Sequence, residues 1–188
     1  VRRLLAMPEV AGLVVVVHPS HTVRFASALA AFDDSKPLLI AEGGRLRSDS
    51  VRAGLLMVPP SATAIAVHDG ARPLFARHVF ERSIDALDSF DGAVPAVEVS
   101  DTLKRADAGG LIETTIDRRG LWSVQTPQVF QASVLREVYA HKEFDGATDD
   151  AALVERAGYR VGLVPSTPAN VKITTPADLP LAGALLAW

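Results

Sequence analysis

The 188 residues contain no cysteine. Disulfides, thiol nucleophiles and cysteine-ligated zinc are thereby excluded, and a reducing compartment suits the chain. Lysine is scarce too: Lys36, Lys104, Lys142 and Lys172 are the full set, and every other cation is arginine. Guanidinium favours bidentate recognition of phosphate. Neither sign of charge dominates, since 19 basic against 22 acidic side chains leave a net charge of -3. The basic footprint of a nucleic-acid binder is missing. So is any long apolar run. Val10 to Val17 falls far short of the ~20 residues a membrane span needs, and no signal peptide is visible. The chain starts on Val1 and not on methionine, so its N-terminus reads as incomplete. Three familiar motifs are absent as well: G-x-x-x-x-G-K-[ST], G-x-G-x-x-G after a strand, and G-x-S-x-G. P-loop NTPase, dinucleotide-dependent dehydrogenase and serine hydrolase readings therefore lose their main support.

What is present is an apolar fraction of 48 %, enough for one substantial core and one domain over residues 1–188. Leu13 leads into Val14-Val15-Val16-Val17, the β-branched run expected of a strand buried on both faces of a parallel sheet. Further strands are expected at Pro37 to Ala41 and Ala64 to His68. Helices are expected from Thr22 to Phe32, Ser48 to Met57 and Arg77 to Leu87. This alternation predicts βαβ units, an α/β fold with a Rossmann-like, mostly parallel sheet flanked by helices. The pattern then changes. After a strand at Ala93 to Glu98, the segments Thr102 to Arg105 and Leu111 to Ile116 flank Asp107-Ala108-Gly109-Gly110. They predict a hairpin within residues 100–119 that must pack on something else. Helices follow from Gln131 to Lys142, Asp149 to Ala157 and Pro176 onward, with strand-like Val161 to Val164 and Val171 to Ile173.

Several segments can carry chemistry, each with a plainer structural reading. Gly43-Gly44-Arg45-Leu46-Arg47-Ser48-Asp49-Ser50 lies between a strand and a helix. Its glycines allow close backbone approach and a helix start favours anionic groups. The plainer reading is a turn with a serine cap. Asp69 and Arg72, in Val67-His68-Asp69-Gly70-Ala71-Arg72-Pro73, follow a parallel strand, where α/β sheets bind ligands. A carboxylate there can hold Mg²⁺ together with substrate phosphates; the alternative is an Asp-Gly turn with a surface ion pair. His68 reads as a packed, hydrogen-bonded histidine. Thr148-Asp149-Asp150 reads as a helix cap, and Thr175-Pro176-Ala177-Asp178 as another with a carboxylate reaching back. Gln125-Thr126-Pro127-Gln128 reads as an apolar-to-polar break.

Taken in order, these segments resemble the 2-C-methyl-D-erythritol 4-phosphate cytidylyltransferase family. The resemblance rests on Gly43-Gly44 through Arg47 with Ser50-Val51 and Gly54-Leu55, on Val67-His68-Asp69 with Ala71-Arg72-Pro73, and on Asp101-Thr102 with Lys104. It continues through Asp117-Arg118 and Leu121-Trp122, Gln125-Thr126-Pro127-Gln128 with Phe130, Thr148-Asp149-Asp150, and Lys172-Ile173-Thr174-Thr175-Pro176 with Asp178-Leu179. It covers essentially the whole chain. It implies Mg²⁺-dependent cytidylyl transfer from CTP to methylerythritol phosphate, with pyrophosphate released, in isoprenoid precursor synthesis. It also implies Asp69 as metal ligand, with Gly44, the Arg45 backbone and Ser50 on the cytosine and ribose. Arg72, Thr102, Arg118 and Thr126 would bind methylerythritol phosphate, and Lys172 would neutralise phosphate charge. The hairpin would be an arm embracing a second subunit of a homodimer, delivering Arg118 to the partner's site. A cytoplasmic location in a bacterium is expected, with a plastid left open. One departure stands out: the family's N-terminal Gly-rich loop, with its arginine and lysine, has no counterpart before Leu13. Ribitol 5-phosphate cytidylyl transfer, and a non-catalytic dimerising homologue without the CTP loop, are the alternatives left standing.

Overall fold

The computed structural model describes residues 1–32, 36–141 and 147–186. Its first elements are α1 (Arg2–Leu5), β1 (Leu13–Val17), α2 (Thr22–Leu29), β2 (Leu38–Glu42), α3 (Arg47–Leu55), β3 (Ala64–Val67) and α4 (Arg77–Asp85). Five strands come next: β4 (Gly92–Glu98), β5 (Leu103–Ala106), β6 (Ile112–Ile116), β7 (Trp122–Val124) and β8 (Gln128–Gln131). The chain continues with α5 (Ala132–Ala140), α6 (Asp150–Arg156), β9 (Val161–Pro165) and α7 (Asp178–Leu186). This is a mixed α/β fold, a mostly parallel sheet with helices. The residues form two compact units, 1–67 with 130–161 and 68–129 with 162–188.

In the first unit β1 and β2 run parallel, in register from Leu13 opposite Leu38 to Val17 opposite Glu42. The valine run was expected to be buried on both faces, yet only Val17 is fully buried and Leu13 to Val16 are half-buried. The reason is that β1 shares its two-stranded sheet with β2. α3 approaches β1 closely: a Cβ on Gly54 would sit 2.9 Å from Val16 Cγ2. No serine caps α3. Its first turn is closed by Asp49, whose Oδ2 accepts the Leu46 backbone N–H at 3.0 Å, the acidic half of a capping box. On α6 a cap was expected within Thr148-Asp149-Asp150, and the structure assigns it to Asp149, which accepts from Ala152 N at 2.9 Å.

Asp150 does something else. Fully buried, it accepts from the Tyr139 hydroxyl at 2.5 Å and from Arg47 Nη2 at 2.6 Å. Burial, reinforced by the Asp150 charge, pushes the Tyr139 hydroxyl far above the usual phenol range, so it stays a donor. Arg52 adds a bond from Nε to the Tyr139 carbonyl at 3.1 Å and lies over the Tyr139 ring. Three helices, α3, α5 and α6, thus share one buried carboxylate.

The second unit is built on β4, whose first five residues are buried. β7 pairs with it antiparallel, Ala96 opposite Val124 and Glu98 opposite Trp122, and β9 pairs with it as well. Val79 of α4, Ala93 and Val164 form a core cluster with Ala76 and Ala86. Gly162 has to be glycine: a Cβ there would come within 2.6 Å of the Phe90 ring. The hairpin is present. β5 and β6 pair antiparallel from Leu103 opposite Ile116 to Ala106 opposite Ile112, with an irregularity at Arg105 and Ala106. Asp107 Oδ1 accepts from Gly109 N and Leu111 N, both at 2.9 Å, and Gly110 takes the positive φ of 85° that closes the turn.

Three expectations need correction. Val171 to Ile173 forms no strand; its backbone bonds are Val171 N to Ala169 O and Ile173 N to Ala71 O, both at 2.8 Å. β7 and β8 went unforeseen because they are short and the glutamines around Pro127 mimic a break. α7 starts at Asp178, later than Pro176, although its carboxylate does reach back to Thr174 N and Thr175 N, each 2.8 Å away. The expected end of the Gln131 helix at Lys142 lies outside the described residues.

Removing the Asp150 carboxylate strips partners from a buried phenol and a half-buried guanidinium at once. Asp150→Ala is expected to lower unfolding free energy by about 3 kcal/mol, seen as a lower urea midpoint. An unchanged midpoint would show that the three helices hold without it.

Candidate active site

The residues singled out from the sequence fall on both units. On the first, Gly43 N donates to Val17 O at 2.7 Å, so the glycine turn hangs directly from the end of β1. Gly44 N donates to Ser50 Oγ at 3.2 Å, and Ser50 Oγ in turn donates to Leu46 O at 3.2 Å. A Cβ on Gly44 would lie 2.3 Å from Asp49 Cβ, so only glycine allows the turn to lie this close to α3. Arg45 is exposed beside it. The result is a rigid backbone platform after the carboxyl ends of two parallel strands, where ligands of α/β folds bind.

On the second unit Asp69, Arg72, Thr126 and Lys172 come together from three separated stretches of chain. The Asp69 side chain is 18 % exposed; its Oδ2 lies 2.9 Å from Lys172 Nζ and 3.6 Å from Arg72 Nε. Arg72 Nη1 donates to Asn170 O at 2.7 Å, while its buried Nε has no hydrogen-bond partner among the described residues. Beneath the carboxylate runs an ordered chain of donors. Asp69 N–H donates to Thr126 Oγ1 at 3.0 Å, and His68 Nδ1 lies 2.9 Å from the same oxygen. His68 Nε2 lies 2.9 Å from the Arg72 carbonyl, which can only accept, so the proton sits on Nε2 and Nδ1 accepts from the threonine. The Thr126–Pro127 peptide is cis. Burial lowers the His68 pKa from 6.5 to about 4, against smaller opposing effects from the Arg72 carbonyl and Asp69. His68 also packs edge-on against Phe75. It is the packed, hydrogen-bonded histidine expected from the sequence, and burial keeps it neutral.

Thr102 and Arg118 stand at the base of the hairpin, both exposed. The Arg118 guanidinium donates to the Ser100 carbonyl across that base. Beside it lies a cavity of about 320 Å³ lined by Glu98, Val99, Arg118, Arg119, Gly120 and Leu121. Sequence reasoning missed Asn170 and Ser166, which join Gln125 in a buried polar network behind the Asp69 group. Nothing in the local pattern of Pro168-Ala169-Asn170-Val171 marks them, because their partners lie more than forty residues away in sequence.

Each unit thus has a candidate ligand-binding group at the carboxyl end of a strand, and the comparisons with known proteins identify the class as nucleotidyltransferase. The family model described as "IspD: 2-C-methyl-D-erythritol 4-phosphate cytidylyltransferase" matches residues 1–187. The chain is 51 % identical over 156 residues to a bifunctional IspD/IspF enzyme of Granulibacter bethesdensis, spanning 78 % of this chain and 41 % of that protein. It is 45 % identical over 157 residues to the 2-C-methyl-D-erythritol 4-phosphate cytidylyltransferase of Parasynechococcus marenigrum, 82 % of this chain and 70 % of that one. The crystal structure of the enzyme of that name from Thermus thermophilus superposes with a TM-score of 0.81 at 34 % identity, covering 99 % of this chain and 87 % of that. The chain belongs to the 2-C-methyl-D-erythritol 4-phosphate cytidylyltransferase (IspD) family, the cytidylyltransferases of isoprenoid biosynthesis.

The depressed His68 pKa links stability to pH. Between pH 6.5 and about 4 the unfolded chain holds a proton on His68 that the folded chain does not. Acidification through that window should therefore cost about 3 kcal/mol through this group, with no cost above pH 6.5. His68→Gln should show a flatter decline in urea unfolding free energy between pH 7 and pH 4.5. Equal slopes for the two proteins would mean that His68 titrates normally when folded.

Proposed function

We propose that the full-length protein transfers the cytidylyl group of CTP to 2-C-methyl-D-erythritol 4-phosphate in the cytoplasm. A phosphate oxygen of the acceptor attacks the α-phosphorus, the α–β phosphoanhydride bond breaks, and pyrophosphate leaves. Such chemistry asks the protein for positioning and charge neutralisation more than for proton transfer. The observation that carries the proposal is the convergence of Lys172 and Arg72 on the shielded carboxylate of Asp69. Lys172 Nζ, on a side chain 46 % exposed, is the most exposed charge of the three and would meet a phosphate oxygen. Arg72, 14 % exposed and tied to Asn170 O, would present a fixed charge behind it.

Mg²⁺ is part of the proposal. No group of three or more His, Cys, Asp or Glu side chains among the described residues could cage a metal. Mg²⁺ does not need such a cage: it is held by one or two carboxylates together with waters and substrate phosphates. Asp69 offers one hard carboxylate beside the cations that would meet those phosphates, so the donor set fits. When bound there, the ion supplies charge against the phosphate oxygens. Gly44, the Arg45 backbone and Ser50 would receive the cytosine and ribose, where backbone N–H and C=O groups can read a base. Arg72, Thr102, Arg118 and Thr126 would bind the methylerythritol phosphate.

The test is pyrophosphate release by the full-length protein with CTP, Mg²⁺ and either acceptor. Methylerythritol phosphate should turn over far faster than ribitol 5-phosphate, and a reversed preference would overturn the acceptor assignment. Asp69→Asn should raise the Mg²⁺ concentration needed for half-maximal rate at least tenfold. Full activity of that variant at low Mg²⁺ would leave Asp69 a turn residue.

The hairpin would serve a homodimer. Leu111 and Ile112 at its tip are 72 % and 59 % exposed, and a two-stranded hairpin is marginal alone in water. Docking on a second copy would cover them, and two-fold symmetry would make the embrace mutual. Arg118→Ala and Asp69→Asn homodimers should each be nearly inactive, and mixing them should restore activity through heterodimers in which one site has both residues intact. No rescue after verified subunit exchange, or a strictly monomeric protein, would remove the arm from the mechanism.

A further inference from the structure

The cations around Asp69 belong to different loops, and one residue ties those loops together. Asn170 is 2 % exposed, in the segment between β9 and α7. Its Nδ2 donates to Gln125 Oε1 at 3.0 Å and to the Thr126 carbonyl at 2.9 Å. Because that carbonyl can only accept, the amide orientation is forced. Gln125 Oε1 then has to face Asn170, and it also accepts from Ser166 Oγ at 2.8 Å, while Gln125 Nε2 donates to Thr167 O at 3.1 Å. Gln125 is itself fixed to β4 through its backbone N and the Pro95 carbonyl at 2.7 Å. The forced orientation leaves Asn170 Oδ1 buried without a hydrogen-bond partner among the described residues, so the arrangement is kept despite that cost.

Asp69, Arg72, Thr126 and Lys172 are all referenced to that node. The Asn170 carbonyl takes Arg72 Nη1, and two residues on, Lys172 Nζ reaches Asp69 Oδ2. The Thr126 residue whose carbonyl Asn170 holds is the one whose hydroxyl takes the Asp69 N–H. The 170–172 segment has no strand to fix it; besides this node, the Ile173 bond to Ala71 is its backbone tether to the Asp69 turn. A lysine on such a segment would otherwise sample many positions, and a displacement of about 1 Å at a reacting group can cost on the order of 100-fold in rate.

We propose that Asn170, held by Gln125, is a positioning residue that fixes Lys172 and Arg72 relative to Asp69 and sets kcat without touching substrate. The proposal rests on the reading of Asp69, Arg72 and Lys172 as the phosphate-transfer group. It is tested by a double-mutant cycle in the full-length enzyme with CTP, Mg²⁺ and methylerythritol phosphate, using Asn170→Ala, Lys172→Ala and the double variant. Asn170→Ala should lower kcat by about 10- to 100-fold, with KM for CTP changed by less than about threefold. In the Lys172→Ala background the same change should cost clearly less than in the unaltered enzyme, because one of the two groups it positions is gone. Asn170→Ser, which keeps one donor for the Thr126 carbonyl, should recover part of the lost kcat, and it replaces Asn170→Ala in the cycle should the alanine variant fail to fold. Additive losses in kcat, or a loss matched by the unfolded fraction in a thermal melt, would overturn the positioning role. A Lys172→Ala variant with unaltered kcat would instead refute the underlying assignment of Lys172, so the two failures are distinct.

Discussion

A carboxylate withdrawn from water has to be compensated by charge and hydrogen bonds, and the second unit of this protein is organised around that constraint at Asp69. Its negative charge is met by Lys172 and Arg72, and its backbone N–H is met by the Thr126 hydroxyl. Each of these partners needs support in turn. Thr126 keeps its oxygen available to Asp69 because its proton goes to a histidine that burial keeps neutral. Arg72 is aimed by a backbone carbonyl, and Lys172 by a loop pinned two residues earlier. The outcome is a group of opposite charges whose greatest exposure lies at the lysine.

The first unit solves a related problem with different means. There the buried carboxylate is Asp150, and it serves structure by joining α3, α5 and α6 through Arg47 and Tyr139. Arg47 is the first residue of α3, so the bridge steadies the helix start on which the Gly43-Gly44 turn rests. One carboxylate thus firms a platform, while the other stands beside the cations of the proposed chemistry. Both units have the groups of the proposed site in loops and their supporting bonds in buried positions, which is how a scaffold can carry a site of loops.

Local patterns made much of this legible. The valine run, the helix periodicities and the Asp-Ala-Gly-Gly turn located β1, the flanking helices and the hairpin, because each is dictated by neighbours within a few residues. Caps were legible for the same reason at Asp149 and in the reach of Asp178, whereas α3 is closed by Asp49 where a serine was expected. β7 and β8 were not legible. Strands of three and four residues have no period to detect, and the buried Gln128 looks polar in sequence although it is 1 % exposed in the fold.

The sequence by itself determined the inventory: an α/β chain without thiols, glycines where backbone must pass close to a helix, a carboxylate after a strand, and a motif order that resembles a single family. The tertiary structure alone decided which charges meet. That Lys172 pairs with Asp69, that Asp150 is a buried bridge as well as a neighbour of a cap, and that Asn170 holds the 170–172 segment could not be read from spacing. These contacts join residues roughly forty to more than a hundred positions apart, and burial, which is set only once the chain has folded, gives them their strength.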